Sequence, residues 1–499
     1  MPPRARARAD APSRRTRRPC GRCCAEAPAT RTTTTNSSGD AAASPSTLDA
    51  IVADAPDEIW SLVSVDPALE PGAVLVAEGT DDAVAFIALT DDTMRRAIAL
   101  KLPHAPSVRV GDRLVAAADG RVARAPDGAA DLLGATVRAE DVLRACCAAN
   151  AAGPPLFAQP PALEDRQSIG RNLHTGVAAI DALVPIGEGQ SLLIVGEAGS
   201  HKTSAALDCL AGAQRGRDEE GTRELTCVYA CASLEADRIR TCGGGTAILV
   251  THDPGAEEGK KGEEGDEGEA GARLAATLAA VALAERARDA GGDAVVFLDD
   301  LRGLSRFWER ANARLLQLDA ELAPPSLSSA EGEAKGKGEG EAMVEMDGTL
   351  LAKGEAMRRQ FMSSVLQRSA RMSDALGGGT LTLIGLIPGP FRASEDLRSI
   401  ADGHVCVERV DAERYVVRAD QSLSRLGVGR VATPEAMDMC MGLQNYIVQA
   451  ADARAFGCLG EEEGRRLDRV NDALTQTRNQ PLTKTQFVAL MESIQALRT

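Results

Sequence analysis

At 499 residues the chain is long enough for two to four domains, and 44% hydrophobic with 26% charged content is that of an ordinary water-soluble globular protein. No apolar run approaches the ~18–20 residues that a membrane-spanning helix needs. The net charge of −16 is uneven: residues 1–45 hold nine arginines against three acids, so the remainder carries −22, which argues against a nucleic acid partner. Residues 1–48 are Arg-rich, Ser/Thr-rich and poor in acids, the composition of an organelle transit peptide; the alternative is a tail with no address. Cys20, Cys23 and Cys24 in this leader lack a second pair at zinc spacing, and the other cysteines are scattered.

Between residues 55 and 150, short apolar runs alternate with Gly, Asp and Pro, as in VRVGDRLVAAADG, and predict a reduced β-barrel. From 151 to 430, apolar strands alternate with helical segments, predicting an α/β domain with a mainly parallel sheet. LAATLAAVALA (274–284) reads as a helix packed in that layer. Residues 431–499 carry helical periodicity and predict a C-terminal α-helical domain. Two inserts, 255–271 and 326–356, are rich in Gly, Glu and Lys; they bury too little to offset the entropy of ordering and are expected as mobile surface loops.

Within the α/β domain, SLLIVG (191–196) reads as a buried strand feeding GEAGSHKTS (196–204), one residue away from the phosphate-binding pattern GxxxxGK[ST]. In such a loop, backbone N–H groups of the segment from Gly196 through Gly199, Ser200 and His201 to Ser204 cradle phosphate oxygens. Lys202 neutralises phosphate charge and the Thr203 hydroxyl holds Mg²⁺. The deviation is His201, where a glycine is expected: a side chain there costs room and backbone freedom. AVVFLDD ends a strand with Asp299 and Asp300, where parallel α/β sheets place ligands. Asp299 is read as ordering the Mg²⁺ water shell with Asp300 in support, or the two together as a helix N-cap.

Ordered stretches along the chain resemble one family. HTG-x-x-AID-x-LVPIG-x-GQ (174–190), the loop, FLDDLRGL (297–304), RSARMSDALGGGTLTLI (368–384), DQSLSRLG (420–427) and LTKTQFVALMESIQAL (482–497) are similar, in this order, to the alpha subunit of the rotary F-type ATP synthase head. The resemblance covers roughly residues 55–498 and identifies the chain as a divergent member. It implies ATP or ADP with Mg²⁺ as cofactors, and beta-type subunits and a rotor stalk as partners. It also implies membrane association through the complex alone, with a mitochondrial location on the matrix side of the inner membrane, or alternatively a chloroplast one at the thylakoid. Arg425 in SLSRLG matches an arginine that reaches a neighbouring subunit's γ-phosphate, and Arg454 falls near the adenine-side segment.

Where beta subunits carry a catalytic glutamate, the alignment puts Leu234, with Glu235 one residue later. Leu234 neither orients nor deprotonates water, so the resemblance implies a chain that binds nucleotide without turning it over. Two other readings remain: a paralogue without ATP binding that acts as a scaffold or assembly factor, and a homohexameric motor of the related helicase or export-ATPase kind.

Overall fold

A computed structural model describes residues 49–498 except 56–58, 92–94, 103–104, 106–107, 127–128, 221–224, 243–244, 253–268, 323–342, 347–348, 390–393 and 426–433. The leader 1–48, most of the first insert and the larger part of the second therefore lie outside the described residues.

The first strands are β1 (Asp49–Asp54), β2 (Ile59–Val63), β3 (Val74–Ala77), β4 (Ala83–Asp91), β5 (Arg96–Lys101) and β6 (Arg113–Ala116). They bond in the order β1-β2-β5-β4-β3-β6, and β6 closes antiparallel on β1. Trp60, Leu62, Leu75, Val84, Ile87 and Leu114 fill one buried cluster, and full closure removes the exposed strand edges that so short a sheet would otherwise present. The barrel begins earlier than residue 55 and closes by Ala116. The segment beyond it belongs elsewhere: β7 (Thr136–Arg138), followed by α1 (Ala139–Cys146), joins the central sheet. Three residues carry too little alternation to reveal which sheet they will enter.

The central domain continues through β8 (Asn172–Leu173), α2 (Ala178–Leu183), β9 (Ile186–Gly187), β10 (Ser191–Gly196), α3 (Lys202–Glu220) and β11 (Leu225–Ala232). Next come α4 (Ala236–Thr241), β12 (Ile248–His252), α5 (Glu269–Asp289), β13 (Asp293–Leu298) and α6 (Arg302–Leu322). The described part of the second insert, expected as loop, forms a hairpin, β14 (Met343–Met346) with β15 (Thr349–Ala352), leading into α7 (Lys353–Leu366). Alternating apolar residues in MVEM and TLLA suit paired strands, a pattern that the Gly/Glu-rich composition around them obscures. The domain is completed by β16 (Ala370–Arg371), β17 (Thr380–Pro388), α8 (Ser394–Ile400), β18 (Gly403–Arg409), β19 (Arg414–Val417) and β20 (Leu423–Ser424).

Parallel strands in the order β18-β10-β17-β13-β11-β12-β7 form the sheet. β16, β19 and β20 add to it antiparallel. Runs such as SLLIVG and DAVVFL are apolar on both faces because helices cover both. The alanine-rich middle of α5 is buried from Leu274 through Ala284, its small side chains letting the helix lie close on the sheet. The C-terminal domain is α9 (Pro434–Ala455), α10 (Glu461–Leu474) and α11 (Lys484–Arg498), with one two-residue strand, β21 (Gln476–Thr477), tied antiparallel to β19. Among the described residues, no helix is long and apolar enough to cross a membrane.

Candidate phosphate-binding site

β10 delivers the chain to the C-terminal edge of the sheet at Gly196, and α3 starts at Lys202. Gly196 admits no side chain: a Cβ there lies 2.6 Å from the Val407 carbonyl oxygen. At 201 the backbone keeps the conformation a glycine favours, since His201 has φ +69°. For a residue with a Cβ, that left-handed conformation costs about 1–2 kcal/mol. The imidazole compensates by anchoring: Nε2 lies 2.9 Å from the Asp411 carbonyl oxygen, and the ring stands 6.5 Å from that of Tyr415. The strain expected from the sequence is thus present, and the β18–β19 turn holds the side chain in the cavity wall.

The chemistry-bearing groups of the loop converge. Lys202 Nζ donates to the Glu197 carbonyl oxygen at 2.6 Å, folding back along the loop. Burial pushes the Lys202 ammonium down from its usual pKa, and the charges of Asp299 and Asp300 pull the other way. Thr203 Oγ1 donates to Asp299 Oδ2 at 3.3 Å, and the Tyr229 hydroxyl donates to the same oxygen at 3.2 Å. Burial, with the neighbouring Asp300 charge, raises the Asp299 carboxyl to about 6. Thr203 and Asp299 thus place a hydroxyl and a carboxylate side by side, oxygen groups of the kind that could hold a Mg²⁺ ion. Among the described residues no group of three or more His, Cys, Asp or Glu is gathered to hold a metal.

The adjacent carboxylate has a different task. The Arg302 backbone N–H donates to Asp300 Oδ1 at 3.0 Å, the Arg302 guanidinium donates to Oδ2 at 2.9 Å, and Arg273 lies 3.4 Å from Oδ1. Asp300 caps the start of α6, so the structure splits the pair between site and cap.

Residues 199–204 line a cavity of about 400 Å³, with Arg238, Arg409 and Arg478. These arginines come from α4, the end of β18 and the turn after β21, which only the tertiary fold brings together. Sequence reasoning missed all three, and no local motif marks them. Arg454, expected near the base, is not in this wall: it bonds Asp468 Oδ1 and the Gly464 carbonyl oxygen, both at 2.7 Å, joining α9 to α10. Its place in the helical hairpin explains the difference, because the pairing is complete without a ligand.

In the segment after β11, Leu234 and Glu235 stand in different surroundings. Leu234 is 73% exposed, whereas Glu235 pairs with Arg238 at 3.2 Å and adds its charge to the rise of the Asp299 pKa. The short 3-10 turn over Ser233–Glu235 leaves the leucine exposed and sets the half-exposed Glu235 carboxylate beside Arg238. Arg425 stands at the other end of the sheet. It follows β20, whose Ser424 pairs with Gly403 at the start of β18, and Gly403 in turn lies beside Leu192 at the start of β10. Its NH1 donates to the Ser399 carbonyl oxygen at 2.6 Å. The length of β10, at ~3.3 Å per residue, separates it from the phosphate loop.

No protein-family model matches the chain. Among curated proteins it is similar to the ATP synthase subunit alpha of Dehalococcoides mccartyi, 27% identical over 357 residues, covering 68% of this chain and 62% of that protein. The subunit alpha of Anaplasma phagocytophilum is 25% identical over 384 residues, 72% of this chain and 67% of that protein. That of Lactobacillus acidophilus is 28% identical over 287 residues, 55% of this chain and 48% of that protein. The chain thus spans less than two thirds of the length of the first of these relatives.

Proposed function

The chain is a divergent relative of ATP synthase alpha subunits, and on that premise we propose that it is an alpha-type subunit of a rotary, proton-translocating ATP synthase. It binds Mg-ATP or Mg-ADP at residues 196–204 without turning it over, and lends Arg425 to the catalytic site of a neighbouring beta-type subunit. The observation that carries this reading is the separation of Arg425 from the chain's own phosphate loop by the full length of β10, so that its charge serves a ligand outside this chain. Beta-type subunits and a rotor stalk are the proposed partners, with attachment to the membrane through them. The composition of residues 1–48 supports an organelle address, mitochondrial before chloroplast; the bacterial relatives do not point to one.

In this reading each group has a defined task. Lys202 leaves the Glu197 carbonyl to meet phosphate oxygens, and the backbone N–H groups at the start of α3 supply the cradle. Thr203 and Asp299 would hold a Mg²⁺ ion on the protein side, where it would neutralise phosphate charge. Glu235 is held by Arg238, and Leu234 is exposed, so neither of these two residues stands ready to activate water.

The test is reconstitution with a beta-type subunit. Arg425→Ala should lower ATP turnover of the ring by ~10³–10⁵ while leaving nucleotide binding by this chain unchanged. Lys202→Ala should do the reverse. If both variants leave turnover intact, the chain is not a working member of a ring. The scaffold reading then takes over, favoured by the anchoring of His201 in the cavity wall and of Lys202 on its own loop.

A further inference from the structure

Outside the barrel, two described residues other than glycine adopt the left-handed backbone: His201 with φ +69° and Asn479 with φ +62°. Asparagine tolerates that conformation; a histidine keeps it only where its surroundings hold it. The two positions are distant in sequence, one just before α3 and one just after β21. Both ends nevertheless attach to the same turn, residues 410–413 between β18 and β19.

On the inner side, His201 Nε2–H donates to the Asp411 carbonyl oxygen at 2.9 Å, and Arg409 Nε donates to the same oxygen at 3.0 Å. A carbonyl only accepts, so this bond fixes the imidazole with its proton on Nε2. The Asp411 carboxylate braces the turn. Its Oδ1 accepts the Glu413 and Arg414 N–H groups at 2.8 and 2.9 Å, and its Oδ2 accepts Arg414 Nε at 2.8 Å. On the outer side, the Arg478 N–H donates to the Glu413 carbonyl oxygen at 3.0 Å. The Arg478 guanidinium meets both Glu413 carboxylate oxygens, at 3.0 and 3.1 Å. Strand pairing continues the contact, Arg414 with Thr477 and Tyr415 with Gln476. The exposed ion pair contributes little by itself; the backbone bond and the pairing carry the hold.

We propose that this turn is a latch between the phosphate loop and the C-terminal helical domain, with His201 as its inner bolt. The loop keeps its strained shape because the turn grips the imidazole, and residues 476–478 grip the turn from outside. A rearrangement at 201 is therefore transmitted to the segment that leads into α11. A second tie runs in parallel, the Tyr415 hydroxyl of β19 donating to Asp208 Oδ2 on α3 at 2.7 Å. The glycine that the loop pattern calls for at 201 has no side chain to make this bond, so the latch belongs to this chain's departure from the pattern. A ligand that needs the room of the imidazole has to draw the bolt first, and the C-terminal domain thereby registers the state of the loop. The latch operates with nothing bound, so it stands or falls apart from the binding reading above.

Hydrogen–deuterium exchange of the ligand-free full chain tests this, comparing the parent with His201→Gly, Asp411→Ala and the double variant. His201→Gly accepts the backbone conformation and removes the bolt, so amides at 476–482 should exchange about fivefold faster. Asp411→Ala removes the brace and should speed exchange by about tenfold on both sides, at 200–205 and at 476–482. Asp411→Asn keeps an acceptor for the two N–H groups and should recover most of the loss. The double variant should exceed Asp411→Ala by less than about twofold, because one path carries both effects. Exchange in β1–β6 of the barrel should stay at the parent's rate in every variant. Faster exchange confined to the mutated segment would overturn the latch, as would fully multiplied effects in the double variant or a rise shared by the barrel.

Discussion

At the edge of the sheet where β13 begins, charged side chains close on one another. Arg217 reaches Glu188 Oε1 at 2.6 Å and Asp293 Oδ2 at 3.1 Å; Arg171 lies 2.7 Å from both carboxylates, and Thr380 Oγ1 donates to Asp293 Oδ1 at 2.9 Å. At the opposite edge, where β10 and β13 end, similar residue types stand apart. Lys202 rests on a carbonyl oxygen, Asp299 accepts two hydroxyls and has no cation within ion-pair distance among the described residues, and Arg409 has no counterion there. One edge satisfies its charges internally and stabilises the fold. The other leaves them uncompensated, which costs stability and, in the reading proposed above, is where a ligand would complete them.

Breaking the closed edge should have the largest effect. Arg217→Ala leaves Glu188 and the fully buried Asp293 with only the half-exposed Arg171, and should cost ~3–5 kcal/mol in denaturant unfolding. Burial already pushes the Glu188 pKa up against the pull of Arg217 and Arg171, so with Arg217 gone the Glu188 carboxyl should take up a proton more readily. The loss is therefore expected to be greater at pH 7 than at pH 5. A cost below ~1 kcal/mol would show that this edge is no store of stability.

The open edge should respond with the opposite sign. The folded-state pKa of Asp299 stands near 6 against an ordinary 3.8, so the folded chain holds this proton longer than the unfolded one. Its penalty is absent below about pH 4, grows between the two values, and is complete above pH 6, at most ~3 kcal/mol. Asp299→Asn should accordingly raise unfolding stability at pH 7.5 and not at pH 4, while weakening Mg-dependent phosphate binding. Equal stability of the two forms at pH 7.5 would mean that the carboxylate is already paid for by a partner.

This contrast was only half legible in the sequence. The strand SLLIVG, the loop, and a carboxylate closing AVVFLDD are local patterns, and their periodicity and composition place them at one sheet edge before any coordinates are known. The His201 position is also readable, because a glycine-type site in a phosphate loop is defined by its neighbours. Arg238, Arg409 and Arg478 are not, since their common cavity depends on β18 lying beside β10 and on β21 pairing with β19. The pairing of Glu235 with Arg238 follows from one 3-10 turn, which a one-residue register in the alignment conceals. Arg454 illustrates the converse: a plausible position in the chain whose donors are spent inside a helical hairpin.

A finer change within the open edge is His201→Gly. It removes the left-handed strain and loses the bond to Asp411, so stability should move by no more than ~1 kcal/mol. Phosphate binding should tighten by about tenfold, ~1.4 kcal/mol, as the wall recedes from the cradle. Titration of Mg-ATP against both forms reads this directly. Equal affinities would mean that the imidazole, fixed on the β18–β19 turn, costs the ligand no room.

The smallest expected effect tests whether the closed edge extends to the C-terminal domain. His174, which follows β8, has Nδ1 2.9 Å from Asp181 Oδ2 and Nε2 2.9 Å from the Leu482 carbonyl oxygen, just before α11. Burial alone would lower its pKa, but the hydrogen bond and charge of Asp181, with the Leu482 carbonyl, hold it above its usual value. A folded pKa above the unfolded one stabilises fully below the ordinary histidine range, and that contribution fades as pH rises through the folded value. The clasp between the α/β domain and α11 should therefore loosen by ~1 kcal/mol or less between pH 6 and 8.5. His174→Gln keeps a donor for the Leu482 carbonyl and removes the titration, so its hydrogen-exchange protection in α11 should be independent of pH over this range. A parent protein with equally flat protection would show that the imidazole bridges the domains without its charge, and that the closed edge ends at α3.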